Sequence, residues 1–151
     1  MMIRYSLMVL GLLLVVGCAG TTTQTFDVKV KNDSSKPITV WLTKDGPPYE
    51  AKWASPEDLA VEKPGGSNVY LGVIIPPAKT GETGPVPAKL DTSTRAWLRI
   101  YSGGEQFSQL LAMSRGNPNR LDIQLQPGVN SYIVTDAPGG LVATRVETLS
   151  P

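Results

Sequence analysis

One cysteine, thirteen carboxylates and a complete lack of histidine define the chemistry open to this chain. Without imidazole no Ser-His-Asp or Cys-His triad can be assembled, and the commonest general base is missing. Zinc, copper and non-haem iron sites lose their usual nitrogen ligand, so no metal is expected. Paired carboxylates could still cleave a glycosidic bond. Glu57 and Asp58 are adjacent, but they follow Ser55-Pro56 and have a simpler role as the acidic first turn of a helix capped by Ser55. Asp33, Asp45, Asp91 and Asp136 lack the alternating spacing of a calcium loop. The Gly-Gly pairs beginning at 65, 103 and 139 have no phosphate-loop context and suit turns. The expectation is a protein without catalytic residues or cofactors, and not an enzyme.

The more suggestive side chains are aromatic. If Ile38, Val40 and Leu42 point inward on a strand, Trp41 points the other way. If Ala96, Leu98 and Ile100 point inward, Trp97 and Tyr101 point outward beside Arg99. Such a face could stack on a sugar ring or anchor a protein partner, since aromatics with polar neighbours are frequent contact residues. The competing expectation is that Trp53 and the chain around it fold across these rings as a second small core. Candidate contact residues are therefore Trp41, Trp97, Tyr101, Arg99 and Trp53.

Cys18 sits at the exit of the apolar run Leu7 to Val16, which Arg4 precedes. As a helix this run would rise about 15 Å, half of a hydrocarbon core, so it suits an export signal better than a permanent span. Val15-Val16-Gly17-Cys18 resembles the lipobox of bacterial lipoproteins. The resemblance implies cleavage between Gly17 and Cys18, a diacylglyceryl thioether on the sulfur and an acyl group such as palmitate on the new amino terminus. It also implies a cell-envelope location, and Ala19 after the cysteine, by analogy with enterobacterial sorting, favours the outer membrane. With the thiol acylated, no disulfide can form.

The elements that must carry these residues alternate with period two. Phe26, Val28 and Val30 alternate with Asp27, Lys29 and Lys31, and Ile38 to Thr43 repeats the pattern. Further strands are expected at 69–75, 95–102, 106–113, 121–126, 131–135 and 141–147, separated by turns rich in Gly, Pro, Asn and Asp. The span 106–113 is the least distinct, because Phe107, Leu110 and Leu111 would also suit a helix. Eight short strands predict an all-β fold, an antiparallel β-sandwich of immunoglobulin-like or related type. Residues 44–68 interrupt it with one short helical turn, and 76–94 read as a proline-rich loop wrapped over the surface. The organisation is then a leader at 1–17, the lipidated cysteine and a polar tether at 18–25, and one domain at 26–151.

Fourteen Lys and Arg against thirteen acids leave a formal charge of +1, which loss of Arg4 brings to zero. A nucleic-acid partner would call for a concentrated positive surface, and none is expected. The reading that fits is a lipid-anchored module that touches another envelope protein or helps to organise the envelope. The alternative is binding of a cell-wall or surface glycan through Trp41, Trp97 and Tyr101.

Overall fold

The structure is a computed structural model, and it describes residues 20–56, 72–104, 110 and 120–147. Eight strands are present among them: β1 (Thr22–Asn32), β2 (Ile38–Lys44), β3 (Gly72–Ile75), β4 (Thr80–Leu90), β5 (Ala96–Ser102), β6 (Arg120–Gln124), β7 (Gly128–Ala137) and β8 (Gly140–Val146). They form two four-stranded sheets, ordered β4-β1-β7-β8 and β3-β2-β5-β6. The β-sandwich expected from the alternation is present. One pairing departs from the antiparallel pattern: β1 and β7 run parallel, with Phe26 opposite Gly128 and Asn32 opposite Val134. Strands so far apart in sequence need no tight hairpin, so nothing local imposes an antiparallel arrangement.

The period-two residues meet between the sheets. Phe26, Val28 and Val30 of β1 pack with Ile38, Val40 and Leu42 of β2, Leu98 and Ile100 of β5, and Tyr132 and Val134 of β7. A one-residue slip in any of these strands would turn its apolar set to water, at about 1.5–3 kcal/mol for each large side chain. Burial therefore sets the register.

Three expectations need correction. First, the 76–94 stretch is not a surface loop: its centre is the 11-residue strand β4, paired along its length with β1. Pro85 and Pro87 concealed it. An edge strand tolerates proline because one of its sides needs no N–H, and β4 is an edge strand bonded to β1 alone. Second, β1 begins at Thr22 and not at Phe26, since β4 is long enough to reach Thr22 with Leu90. Residues 22–25 are thus strand, and three residues separate Cys18 from it. Third, Leu110, expected on a strand at 106–113, is in helical conformation and buried, and the rest of that span lies outside the described residues.

Among the described residues of the 44–68 excursion, a 3-10 turn forms at Ala51–Trp53. Pro56 is helical directly after Ser55, as the helix-start pattern predicts, while Glu57 and Asp58 lie outside the described residues. Among the described residues β3 pairs with β2 from Ile38 to Trp41. The hydroxyl of Thr43 donates to the carbonyl of Trp53 at 2.9 Å, and the Trp53 ring enters the main core.

Strand directions divide the loops between two ends. At one end lie the start of β1, the β2 exit at Asp45, the β4–β5 connection at 91–95 and the β6–β7 connection at 125–127. The turns at 33–37, 76–79 and 138–139 lie at the other. We call the first the tether end, because the chain enters the sandwich there.

Candidate functional site

The outer face of the β3-β2-β5-β6 sheet carries the aromatic residues singled out by their parity. Register sets Thr39 beside Tyr101, Trp41 beside Arg99 and Thr43 beside Trp97, and the next strand adds Arg120, Asp122 and Gln124. Trp41, Arg99, Trp97 and Tyr101 therefore share a face as expected.

They do not form an open platform. Trp41 and Tyr101 are each 2% exposed and pack with Leu110 in a small cluster separate from the main core. The Trp41 indole N–H donates to the carbonyl of Ala54 at 3.0 Å. Gly72 allows this ring to lie flat over β3: a Cβ there would come within 2.8 Å of two of its carbons. The expected second core exists, but Leu110 completes it rather than Trp53. Trp53, at 1% exposure, is buried in the main core, edge-on to Phe26 with centroids 5.6 Å apart, and its N–H donates to the carbonyl of Pro87. With its ring in the main core, Trp53 does not cover Trp41. Burial of Trp41 and Tyr101 withdraws both rings from stacking on a sugar. Trp97 stays half-buried, its N–H donating to Asp45 Oδ2 at 2.9 Å. Arg99 faces Asp122 across β5 and β6, with 3.5 Å between Nε and Oδ1. Gly17 and Cys18 lie outside the described residues.

The tether end holds a recess that sequence reasoning missed. Phe26, Leu90 and Leu125 form its floor, and Gln24, Gln124, Gln126, Asp91 and Arg95 its polar rim, around about 270 Å³. That falls just short of the roughly 300–1,000 Å³ usual for small-molecule sites. Its walls are held from within. The Asn130 side chain, fully buried, donates to the carbonyls of Gln126 and Gly128 and accepts from the Gln126 N–H, which shapes the 125–128 turn.

The acids at this end are committed to structure. Asp91 accepts from the hydroxyl and N–H of Ser93 and from the N–H and hydroxyl of Thr94, and these bonds hold its carboxyl down at about 2. A group so acidic is a poor proton donor at neutral pH and a weak base. Asp45 accepts from the Arg95 N–H and from Trp97, joining the β2 exit to β5. Glu50 accepts from Lys44 Nζ and from the Lys89 N–H. Burial acts to raise its pKa, but these bonds and the two lysine charges outweigh it, so the carboxyl is lowered. Among the described residues no group of three or more potential metal ligands is assembled. The D-T-S-T motif at 91–94 is the one signal in the sequence that could have revealed this end, as an aspartate capping its own turn.

No protein-family model and no curated protein matches the chain. Solved structures that overlap it in shape include two from type VI secretion systems. The type VI secretion system lipoprotein TssJ1 from Pseudomonas aeruginosa covers 85% of this chain and 100% of its own, with 11% identity and a TM-score of 0.40. Lip from Serratia marcescens, a membrane-bound component of the type VI secretion system, covers 80% of this chain and 97% of its own, with 11% identity and a TM-score of 0.38.

Proposed function

We propose that the chain is a lipid-anchored lipoprotein of the bacterial envelope, and that its sandwich works by contact with another envelope protein and not by catalysis. The observation that carries this reading is the position of Cys18, the only thiol, behind Val15-Val16-Gly17 and three residues ahead of β1. A thioether-linked diacylglycerol there would hold the domain against the bilayer by burial of two acyl chains, with no apolar span in the domain itself. The leader at 1–17 would be removed and the remainder would act as one domain, with Ala19 directing it to the outer membrane. The non-catalytic part is supported by the acids of the tether end, whose oxygens hold backbone and lysine groups in place. Of the residues expected to meet a partner, Trp97 keeps a half-open ring beside Asp45, and we assign it as the contact.

Mass spectrometry of the chain purified from membranes tests the anchor. A mature protein beginning at Cys18 and carrying diacylglycerol is expected, and Cys18→Ser should abolish uptake of labelled fatty acid. An unmodified thiol in the natural product would sink the reading. Photocrosslinking from position 97 in intact cells tests the partner. A discrete protein adduct is expected, and crosslinks to glycan alone would overturn the protein-contact assignment.

A further inference from the structure

We infer that the tether end is a membrane-contact surface whose Tyr49 ring rests among the lipid headgroups. This deepens the anchoring reading and rests on it.

Three observations converge. First, Cys18 precedes Thr22 by four Cα steps, so the Cα atom that carries the acylated side chain and the start of β1 are within about 14 Å of each other. Thr22 pairs with Leu90, which lines the recess, and the tether end as a whole is thereby kept close to the bilayer. Second, Tyr49 is 87% exposed, the most exposed large hydrophobic side chain among the described residues. It stands in the loop between β2 and the 3-10 turn. Third, that loop is built to hold its place. Pro47 and Pro48 restrict the backbone ahead of Tyr49, and the carbonyl of Pro47 accepts from the Thr94 hydroxyl. On the other side Glu50 is gripped by Lys44 Nζ and the Lys89 N–H. A ring fixed on both sides yet left in water is an unusual use of an aromatic, whereas tyrosine is enriched at membrane interfaces, where its body meets apolar groups and its hydroxyl meets water.

Charge does not drive the contact. The described residues of this end include Lys44, Lys52, Lys89 and Arg95 against Asp45, Glu50 and Asp91, which is close to balance. Contact through the ring should therefore form on uncharged lipid and survive high salt, unlike a polybasic patch.

The test uses the full lipidated chain in phosphatidylcholine vesicles. With Cys18 acylated, Ala51→Cys introduces a unique thiol beside an intact Tyr49, and Ser35→Cys does so at the far end. Each is labelled with a nitroxide and exposed to a water-soluble paramagnetic relaxer. The label at 51 should show a several-fold lower collision rate than the label at 35, unchanged in 1 M salt, and adding Tyr49→Ser should abolish the difference. Equal accessibility of the two labels in protein that floats with the vesicles overturns this inference and leaves the anchor standing. Protection that Tyr49→Ser leaves intact, or that salt removes, also overturns it. A chain that fails to float and carries a free thiol at 18 overturns both.

Discussion

Lys44 Nζ meets Glu50 Oε2 at 2.5 Å, with the lysine side chain 2% exposed and the glutamate partly open. The same ammonium donates to the carbonyl of Lys89 at 2.7 Å, and the Lys89 N–H returns a bond to Glu50. Three segments are thus joined: the exit of β2, the loop before the 3-10 turn and the end of β4. The carboxylate that meets this buried ammonium offsets its loss of water, so the pair governs whether the loop stays docked.

Glu50→Gln should therefore destabilise the domain by about 1–3 kcal/mol at neutral pH, less than for a fully buried pair because solvent reaches the carboxylate. Lys44→Met should cost less, since it leaves no buried charge behind. The folded-state pKa of Glu50 lies below its ordinary 4.5, so its contribution is complete above that value and is lost as pH falls through the lowered one. The stability gap between wild type and Glu50→Gln, measured by urea denaturation, should narrow as pH drops below 4.5. A constant gap would count against the pair.

Asn32 is predicted to be the most costly polar residue to truncate. Fully buried at the end of β1, it donates to the carbonyls of Lys36 and Ile75 and accepts from the N–H and hydroxyl of Ser34. Asn32→Ala strands the Ile75 carbonyl and the Ser34 N–H, while the Ser34 hydroxyl still reaches the Lys36 carbonyl, at about 2–4 kcal/mol. Asn32→Asp should also be destabilising, because a carboxylate would face two carbonyls. Thermal melts of the two variants check this.

The tryptophans should report their environments separately. Trp41 and Trp53 are buried while Trp97 is partly open, so iodide should reach only the Trp97 share of the emission. Trp97→Phe should remove that quenchable fraction with little loss of stability. Trp53→Ala, by contrast, should cost about 3–5 kcal/mol through the cavity it opens.

Two backbone positions should respond in opposite directions. Ala78 occupies the left-handed region at φ 60, where its N–H donates to the Asn32 carbonyl. Ala78→Gly should raise stability by up to about 1 kcal/mol, the strain relieved being partly offset by added freedom in the unfolded chain. Gly72→Ala should lower it by about 1–3 kcal/mol, because the new methyl would strike the Trp41 ring. Chemical denaturation of both variants gives the signs directly.

The inward faces of β1, β2, β5 and β7 were legible because alternation is a local property: a residue's parity names its face before any partner is known. The same rule placed Trp41, Trp97 and Tyr101 together. Their burial was not legible, since parity says which way a ring points and nothing about what lies over it, and Leu110 arrives from a distant part of the chain. β4 was hidden because prolines weaken any local strand signal, and only pairing with β1 shows them to be harmless on an edge. Tyr49 carried no pattern at all. Its place at the end where the chain enters follows from strand direction, which the parallel pairing of β1 with β7 and the antiparallel pairing of β2 with β5 decide. Sequence by itself determined the lone acylatable sulfur, the lack of imidazole chemistry and the two-sheet architecture, because these depend on composition and short-range period. Which rings are covered, which acids are tied down and which loops share an end with the start of β1 were decided by tertiary structure, because each depends on contacts between residues far apart in the chain.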